Sequence, residues 1–550
     1  MTPWTPRTIV TAAASALAFA GPLAGQARGP RTSIVIVTGQ EASMPIPTLM
    51  EGPQANLANF EIADHLFLRL AGLGSSLTTS GDRGFIPLLA RQWVRRDSVT
   101  LAFDLDPRAR WHDGAPFTPR DVVFTFERAR NDKIAPRLAA LLRHVASVTA
   151  EGESRVVFRF SHAYAEQLYD ATFHVAPLPA HLLASLPPDE VRRSGFVRNP
   201  VGTGPYRWAR SVAGQFVELA AFERFFLGSP RIGRVIIRVA SDPDARINLV
   251  LSGEADAMDN ILPPLGNLKR VAADPDLRLV PVPSPTVGFL LFNQRAPGDR
   301  SRPHPILSDL EVRRAIVLAL DRRLLVRAVF GSYGEIPYGP ASPLLWIREG
   351  APQPLKQDRA KSLRLLAGRG WSDHDGDGIL DRDGRPLSLR LSLPTSSAIR
   401  RQMALLLQEQ LRQAGIQIEL QQYDVPVWQE RRSAGDFDID FSATTQDPSP
   451  SGLTQSWSCQ GGSNVARFCD PTVDSLLDQA ILGRGDPRAT WHAVLRRIEE
   501  NAPAAFLYAP TYVFAVNRRF DNVTIRPESS WIALWQWSAG RVAERSAAGY

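Results

Sequence analysis

The sequence predicts an α/β protein of two lobes joined by two chain crossovers, and three observations predict it. Helix and strand patterns alternate along the chain. Two proline-bounded extended stretches, Val280 to Val287 (VPVPSPTV) and Ala509 to Val513 (APTYV), read as passages between lobes. The chain has 550 residues, which at ~150 residues per domain supplies several domains and a large buried core. If both stretches are crossovers, residues from about 288 to 508 form one lobe, and the N- and C-terminal parts jointly form the other. Ligands in such architectures sit in the cleft between lobes. With 44% hydrophobic and 22% charged residues the composition is that of a water-soluble globular protein, which excludes a mainly disordered or membrane-embedded chain.

The elements follow in order. Arg7 is a short positive n-region, Ile9 to Ala20 an apolar h-region, and Gly25-Gln26-Ala27 a small-x-small cleavage pattern, so residues 1–27 read as a secretory signal. The segment has no cysteine for a lipid anchor, and no later stretch reaches 18 uninterrupted apolar residues; the expected product is exported and free in solution. Thr32 to Thr38 (TSIVIVT) suits a central buried strand. Val99, Leu101, Phe103 and Leu105 alternate as a strand that runs into an Asp113-Gly114 turn. A helix over 119–130 opens with Thr118 as cap, Pro119 at its first position and Asp121 as the capping-box acid. Ser308-Asp309-Leu310-Glu311 has the form of a second capping box, with Val312, Ala315, Ile316 and Ala319 on one helical face. Leu389 to Leu393 reads as a strand, Ala398 to Ala414 as a helix ended by Gly415, and Ile416, Ile418 and Leu420 as the strand after it. No repeat of 20–50 residues is present.

Lys and Arg number 63 against 56 Asp and Glu, a formal charge of +7. The arginine doublets, such as Arg95-Arg96, Arg313-Arg314 and Arg496-Arg497, are scattered among acids and form no phosphate-tracking stripe, so they read as solvated helix surface and no nucleic acid is expected. Cys459 and Cys469 are too far apart for a C-x-x-C zinc pair and stand without a second pair; in an oxidising compartment a local disulfide is the natural reading, a free thiol the other. Such a bridge would contribute roughly 2–3 kcal/mol. There is no Gly-x-Ser-x-Gly, no His-Glu-x-x-His and no phosphate-binding Gly-Lys-Ser/Thr loop, and the nine histidines are dispersed. Binding rather than turnover is expected, with no cofactor. Asp373, Asp375, Asp377 and Asp381 with Gly378 reproduce the early positions of a calcium loop, but Gly384 stands where the closing Glu belongs; the segment reads either as a calcium site or as a solvated Asp-Gly hairpin.

The stretch Trp111-His112-Asp113-Gly114-Ala115-Pro116-Phe117-Thr118-Pro119-Arg120-Asp121-Val122-Val123-Phe124 resembles the signature of the dipeptide/oligopeptide-binding, family 5 extracytoplasmic solute-binding proteins of ABC importers. Gly202-Thr203-Gly204-Pro205-Tyr206, then Phe292-Asn293 with Val312-Arg313-Arg314-Ala315, and the strand from Gly415-Ile416 to Tyr423 before Trp428 follow in the family's order. The resemblance covers about residues 32–540. It implies a two-lobed periplasmic-binding-protein (type II) clamp with an extra α+β subdomain in the first lobe. The implied divisions are a signal peptide at 1–27, a first lobe at 28–287 with the subdomain at about 66–200, a second lobe at 288–508, and a return to the first lobe at 509–550. It also implies a periplasmic monomer that traps a small-molecule solute, a peptide, and hands it to the transmembrane subunits of an ABC permease.

By position, the implied ligand-binding residues are Thr395, Ser396 and Ser397 after the Leu389–Leu393 strand, Trp428, and Thr444 and Asp447 in the stretch Phe441 to Pro448; Cys459 and Cys469 match paired cysteines of dipeptide-binding relatives. The hydroxyls could hydrogen-bond a ligand and the indole could stack on it; equally, the serines could lead into the next helix and Trp428 could be core. The acid that pairs with the substrate's α-ammonium in peptide-binding relatives falls at Thr444, with Asp447 as a possible substitute. A non-peptide ligand, such as an opine, oligosaccharide or metal chelate, is therefore the alternative.

Overall fold

The computed structural model describes residues 32–540; the signal segment expected at 1–27 lies outside the described residues. The chain opens with β1 (Ser33–Thr38) and α1 (Leu57–Leu66). It then builds a separate four-stranded antiparallel sheet from β2 (Ala90–Asp97), β3 (Thr100–Leu105), β4 (Val145–Glu151) and β5 (Arg155–Phe160), in the order β2-β3-β5-β4, with α2 (Pro119–Ala129) packed on it and α3 (Gln167–Thr172) after it. Next come β6 (Tyr206–Val212), β7 (Phe216–Ala221), β8 (Arg234–Val239), β9 (Ala257–Met258), β10 (Leu277–Pro283) and β11 (Thr286–Phe292). Helices α4 (Leu310–Ala319) and α5 (Arg322–Phe330) precede β12 (Ser388–Pro394), α6 (Ala398–Arg412), β13 (Gln417–Tyr423), α7 (Val425–Ala434) and β14 (Ile439–Thr445). Helices α8 (Pro471–Ile481) and α9 (Pro487–Asn501) lead to the long strand β15 (Ala504–Asn517).

The main sheet has twelve strands along the path β13-β12-β14-β11-β15-β9-β1-β8-β7-β6, with β10 and the short strand Gly334–Glu335 also on β15. β1 pairs with β8 in parallel, Ser33 opposite Arg234, and β12 with β13, Ser388 opposite Gln417. The two-lobed division shows in the cores. One apolar cluster takes residues from Ile34 to Val282 and again from Phe514 to Trp537; two others lie wholly between Val287 and Tyr508. Strand β15 serves both sides: Ala504–Tyr508 pair with β11, and Thr511–Asn517 with β10. Both segments read as crossovers fall on these strands, because extended backbone that continues from one half of the sheet to the other keeps its hydrogen-bonding groups satisfied.

Two motifs that carry the family resemblance meet in space. The Gly202 N–H donates to His112 Nδ1 at 3.0 Å, and the other ring nitrogen, Nε2, donates to the Gly204 carbonyl at 3.1 Å. Burial holds the His112 pKa down to about 4, as this neutral tautomer requires. Only glycine fits opposite: a Cβ on Gly202 would lie 1.8 Å from the Leu66 carbonyl oxygen, and one on Gly204 2.2 Å from that of His65. The Trp111–Phe124 stretch is thus a structural junction between the subdomain and the main sheet.

Local punctuation holds at α2, where both halves of the Thr118/Asp121 capping box form. It differs at α4. Ser308 turns back to donate to the His304 carbonyl at 2.5 Å, and Asp309 caps the helix by accepting from the Glu311 N–H at 2.9 Å. An acid one residue later wins because the chain reaches helical geometry only at Leu310. The alternation read at residues 99–105 implied one solvated face, yet every residue of β3 is buried; Asp104 is tolerated inside because it accepts from Arg155 Nε at 2.6 Å and from Gln92 Nε2 at 2.7 Å.

Asp121 ties these parts together. Buried, it accepts from the Thr118 N–H at 2.9 Å, from Trp111 Nε1 at 3.3 Å and from the Ala180 N–H at 2.9 Å. Asp121→Ala leaves three buried donors without an acceptor and should lower the unfolding free energy by about 3 kcal/mol, read by chemical denaturation; a loss under about 1 kcal/mol would contradict this role.

Candidate functional site

Strand β14 ends at the cleft with a free edge. On one side Thr286–Phe292 of β11 pair with its whole length. On the other, β12 pairs only as far as Asp440; Phe441 and Ser442 beyond it are buried, so among the described residues the accessible unpaired edge is Ala443 to Thr445. At and beyond the strand's end, Thr444, Thr445, Gln446, Asp447 and Ser449 line a cavity of about 160 Å³ together with Phe289, Leu453 and Trp457. Gln446 fixes the rim: it accepts from the Ser342 N–H at 2.9 Å and donates to the Pro340 carbonyl at 2.7 Å.

The two lobes meet beside this cavity. Leu344 of the second lobe inserts between Leu73, Leu77 and Tyr169. The Ala165 N–H donates to the Ile481 carbonyl at 3.0 Å. Glu166 accepts from Thr79 of its own lobe and, at 2.5 Å, from Ser449 Oγ of the other, while Trp346 Nε1 donates to Thr79 Oγ1 at 3.2 Å. Burial raises the Glu166 carboxyl to about 7.

Asp447 reaches solvent, yet protein surrounds it closely enough that desolvation raises its pKa, against the pull of His174 and Arg137. Its Oδ1 accepts from the Ser449 N–H at 3.0 Å, and among the described residues no cation forms an ion pair with it. Tyr169 lies in its field. The Tyr169 hydroxyl is buried and has no hydrogen-bond partner among the described residues, and burial together with the Asp447 charge holds its pKa well above the usual value. Arg137 Nε is likewise buried without an acceptor, so this wall holds a carboxylate, a phenol and a guanidinium with unused hydrogen-bonding capacity.

A second depression, of about 1430 Å³, opens between Ser75–Thr78 and Thr524–Pro527 on one side and Leu344–Trp346 and α5 on the other. Many of its charges are already engaged: Arg348 with Glu335, Arg488 with Glu349, and Arg322 with the Phe506 and Leu355 carbonyls. The smaller cavity is the better candidate for specific recognition, since Asp447 on its rim has no ion-pair partner among the described residues and the unpartnered Tyr169 hydroxyl lies in the field of that carboxylate.

The residues singled out by sequence are only partly brought together. Thr444 and Asp447 line the cavity. Thr395 Oγ1 donates to Asp424 at 3.1 Å, Ser397 Oγ accepts from the Arg400 N–H as the cap of α6, and Ser396 is exposed beside them. Trp428 donates to Asp440 at 2.7 Å, and the guanidinium of Arg400 sits 5.3 Å from its ring centroid. Cys459 and Cys469 form the disulfide. The carboxylates of Asp373, Asp375 and Asp377 lie within 4.8 Å of one another and are exposed, while Asp381 accepts from His374 Nδ1 at 2.9 Å. Glu166, Tyr169, Arg137 and Thr79 had no signal in sequence; Glu166 meets Ser449 across 283 positions, and no local motif marks either.

Residues 84–465 match the profile of the bacterial extracellular solute-binding proteins, family 5 middle region. The chain is similar to the oligopeptide-binding protein AppA of Bacillus subtilis, 25% identical over 477 residues, which span 84% of this chain and 86% of that one. The structure of that protein in complex with a nonapeptide superposes with a TM-score of 0.73 at 23% identity, covering 93% of this chain and 100% of the other. NikZ of Campylobacter jejuni, solved with Ni(L-His), superposes with a TM-score of 0.73 at 21% identity over 92% of this chain and 100% of its own.

Because the buried Tyr169 hydroxyl makes no hydrogen bond among the described residues, Tyr169→Phe should leave stability unchanged or raise it by about 1 kcal/mol in thermal or chemical unfolding; a loss of more than that would mean the hydroxyl has a structural partner.

Proposed function

Because the chain belongs to family 5 of the bacterial extracellular solute-binding proteins, we propose that it is the periplasmic solute-binding component of an ABC importer and closes its two lobes on a peptide. The free edge of β14 carries this reading. Unpaired strand backbone accepts an extended peptide as an added strand, with affinity from main-chain hydrogen bonds and selectivity from the pockets beside it. The names of the relatives support it: one is an oligopeptide-binding protein solved with a nonapeptide. In this reading the lobes divide at 287/288 and 508/509, Thr444 and Asp447 contact the solute, and Thr395, Ser396, Ser397 and Trp428 border the site. The protein acts as a monomer, binds without turnover and hands its solute to the transmembrane permease. Among the described residues no helix is long and apolar enough to cross a membrane, which accords with free diffusion between capture and delivery.

The cavity of about 160 Å³ is smaller than the roughly 300–1,000 Å³ of ordinary small-molecule sites, so the lobes must part to admit a peptide of several residues. One observation favours a second reading, a non-peptide solute such as an opine, oligosaccharide or metal chelate: Thr444 occupies the strand position where a carboxylate would meet an α-ammonium, and a fold relative was solved with a nickel–amino-acid complex.

Mass spectrometry of small molecules released on denaturing natively purified protein separates the two, with a ladder of short peptides expected. Thr444→Asp should then tighten binding of peptides with a free N-terminus about tenfold by calorimetry, the gain of one charge-assisted hydrogen bond. A sugar or metal complex in the mass spectrum, with no effect of the substitution on peptides, would establish the second reading.

A further inference from the structure

The closed clamp has a carboxylate at its seam. Glu166, buried, joins the lobes through a chain of hydrogen bonds that runs from Trp346, which lines the large groove, through Thr79 to Glu166 and on to Ser449, which lines the inner cavity. The wall between groove and cavity is made of these side chains together with Leu344 and Tyr169. Both carboxylate oxygens meet hydroxyls, and hydroxyls serve either protonation state, donating to the anion and accepting from the acid.

What Glu166 lacks is a cation. Asp170 on α3 adds negative charge, and Tyr164 donates its hydroxyl to Asp170 at 2.7 Å. The nearby bases are committed elsewhere: Arg95 to Asp82 and Gln167, His174 to Asp170, Arg488 to Glu349. When the lobes part, Ser449 and Trp346 leave with the second lobe and water reaches the carboxylate, which restores its ordinary acidity.

We propose that Glu166 is a proton-sensitive latch: closing the lobes buries its carboxylate between hydroxyls of both lobes without a cation, so that closure takes up a proton and the clamp closes more firmly as pH falls. The proposal rests on the two-lobed clamp reading and adds a regulation to it. The sign follows from the direction of the change. An acid of ordinary pKa 4.5 in the open form, raised to about 7 in the closed form, favours closure most below 4.5, and the advantage is lost as pH rises through 7. Between pH 8 and pH 5.5 the closure equilibrium should shift about 30-fold.

The test needs no identified solute. Since Cys459 and Cys469 are bonded, dyes on Arg83→Cys and Lys356→Cys, exposed residues one on each lobe, report interlobe distance by single-molecule energy transfer. The wild type should pass from mostly open to mostly closed as pH falls from 8 to 5.5, whereas Glu166→Gln should stay closed with at most a few-fold residual change contributed by Asp447. Ser449→Ala, which removes a donor that favours the ionised form, should move the midpoint to higher pH even if closure weakens. The full pH response surviving in Glu166→Gln would overturn the latch. So would a pH-independent wild type that still closes on millimolar trialanine, which would leave the clamp standing. A distance that answers neither pH nor trialanine would overturn both.

Discussion

One strand holds the two halves of this protein in register. β15 pairs with β11 over its first residues and with β10 over its last, so the hydrogen bonds of both lobes are made by one run of backbone. Between them only Ala509 and Pro510 intervene, paired with the short strand at Gly334–Glu335. Strand backbone resists stretching and shear but tolerates twist, so the relative motion left to the lobes is rotation about this seam. Proline concentrates there, at Pro281, Pro283 and Pro510 within the strands and Pro285 between them, and none of the four has an N–H to donate, which limits how firmly these stretches can be clamped. The cleft, its free strand edge and the interlobe contacts are all arranged around that constraint.

Buried polar chemistry is distributed unequally across the molecule. Away from the cleft, buried arginines act as staples: Arg313 donates to the carbonyls of Ala502, Leu307 and Asn501, and Arg322 to that of Phe506. Part of the net positive charge is therefore internal and finds its partners in chain carbonyls, which fits the absence of any basic stripe in sequence. At the cleft the balance reverses. Glu166, Asp447 and Tyr169 are desolvated, neither carboxylate forms an ion pair among the described residues, and the Tyr169 hydroxyl makes no hydrogen bond. A site kept in this state is poised for a partner that brings its own charge or donors.

Legibility in the sequence tracked locality. The capping box at Thr118 and Asp121, the helix stop at Gly415 and the β-branched run of β1 are settled by neighbours within a few residues and appear as read. The cap of α4 was misplaced by one residue, because Ser308 had a competing partner in the carbonyl of His304. At the site, Thr444 and Asp447 could be placed because they sit on a strand end in a recognisable order, whereas the hydroxyls of Thr395 and Ser397 turned out to be occupied by Asp424 and by the start of α6. The opposing wall could not be read at all, since Glu166 and Tyr169 acquire their character from burial and from residues far away in the chain, Thr79 at 87 positions and Ser449 and Asp447 at some 280.

By itself, then, the sequence determined the α/β class, the pairing of the cysteines and the family order of the motifs, because each of these depends on periodicity, on turn chemistry or on the spacing of a few residues. Only the tertiary structure decided which edge of β14 stays open, that His112 locks onto Gly202 and Gly204, and that a carboxylate without a cation lies at the seam between lobes. Strand pairing, burial and charge environment are properties of segments brought together by folding, and no stretch of the chain carries them alone.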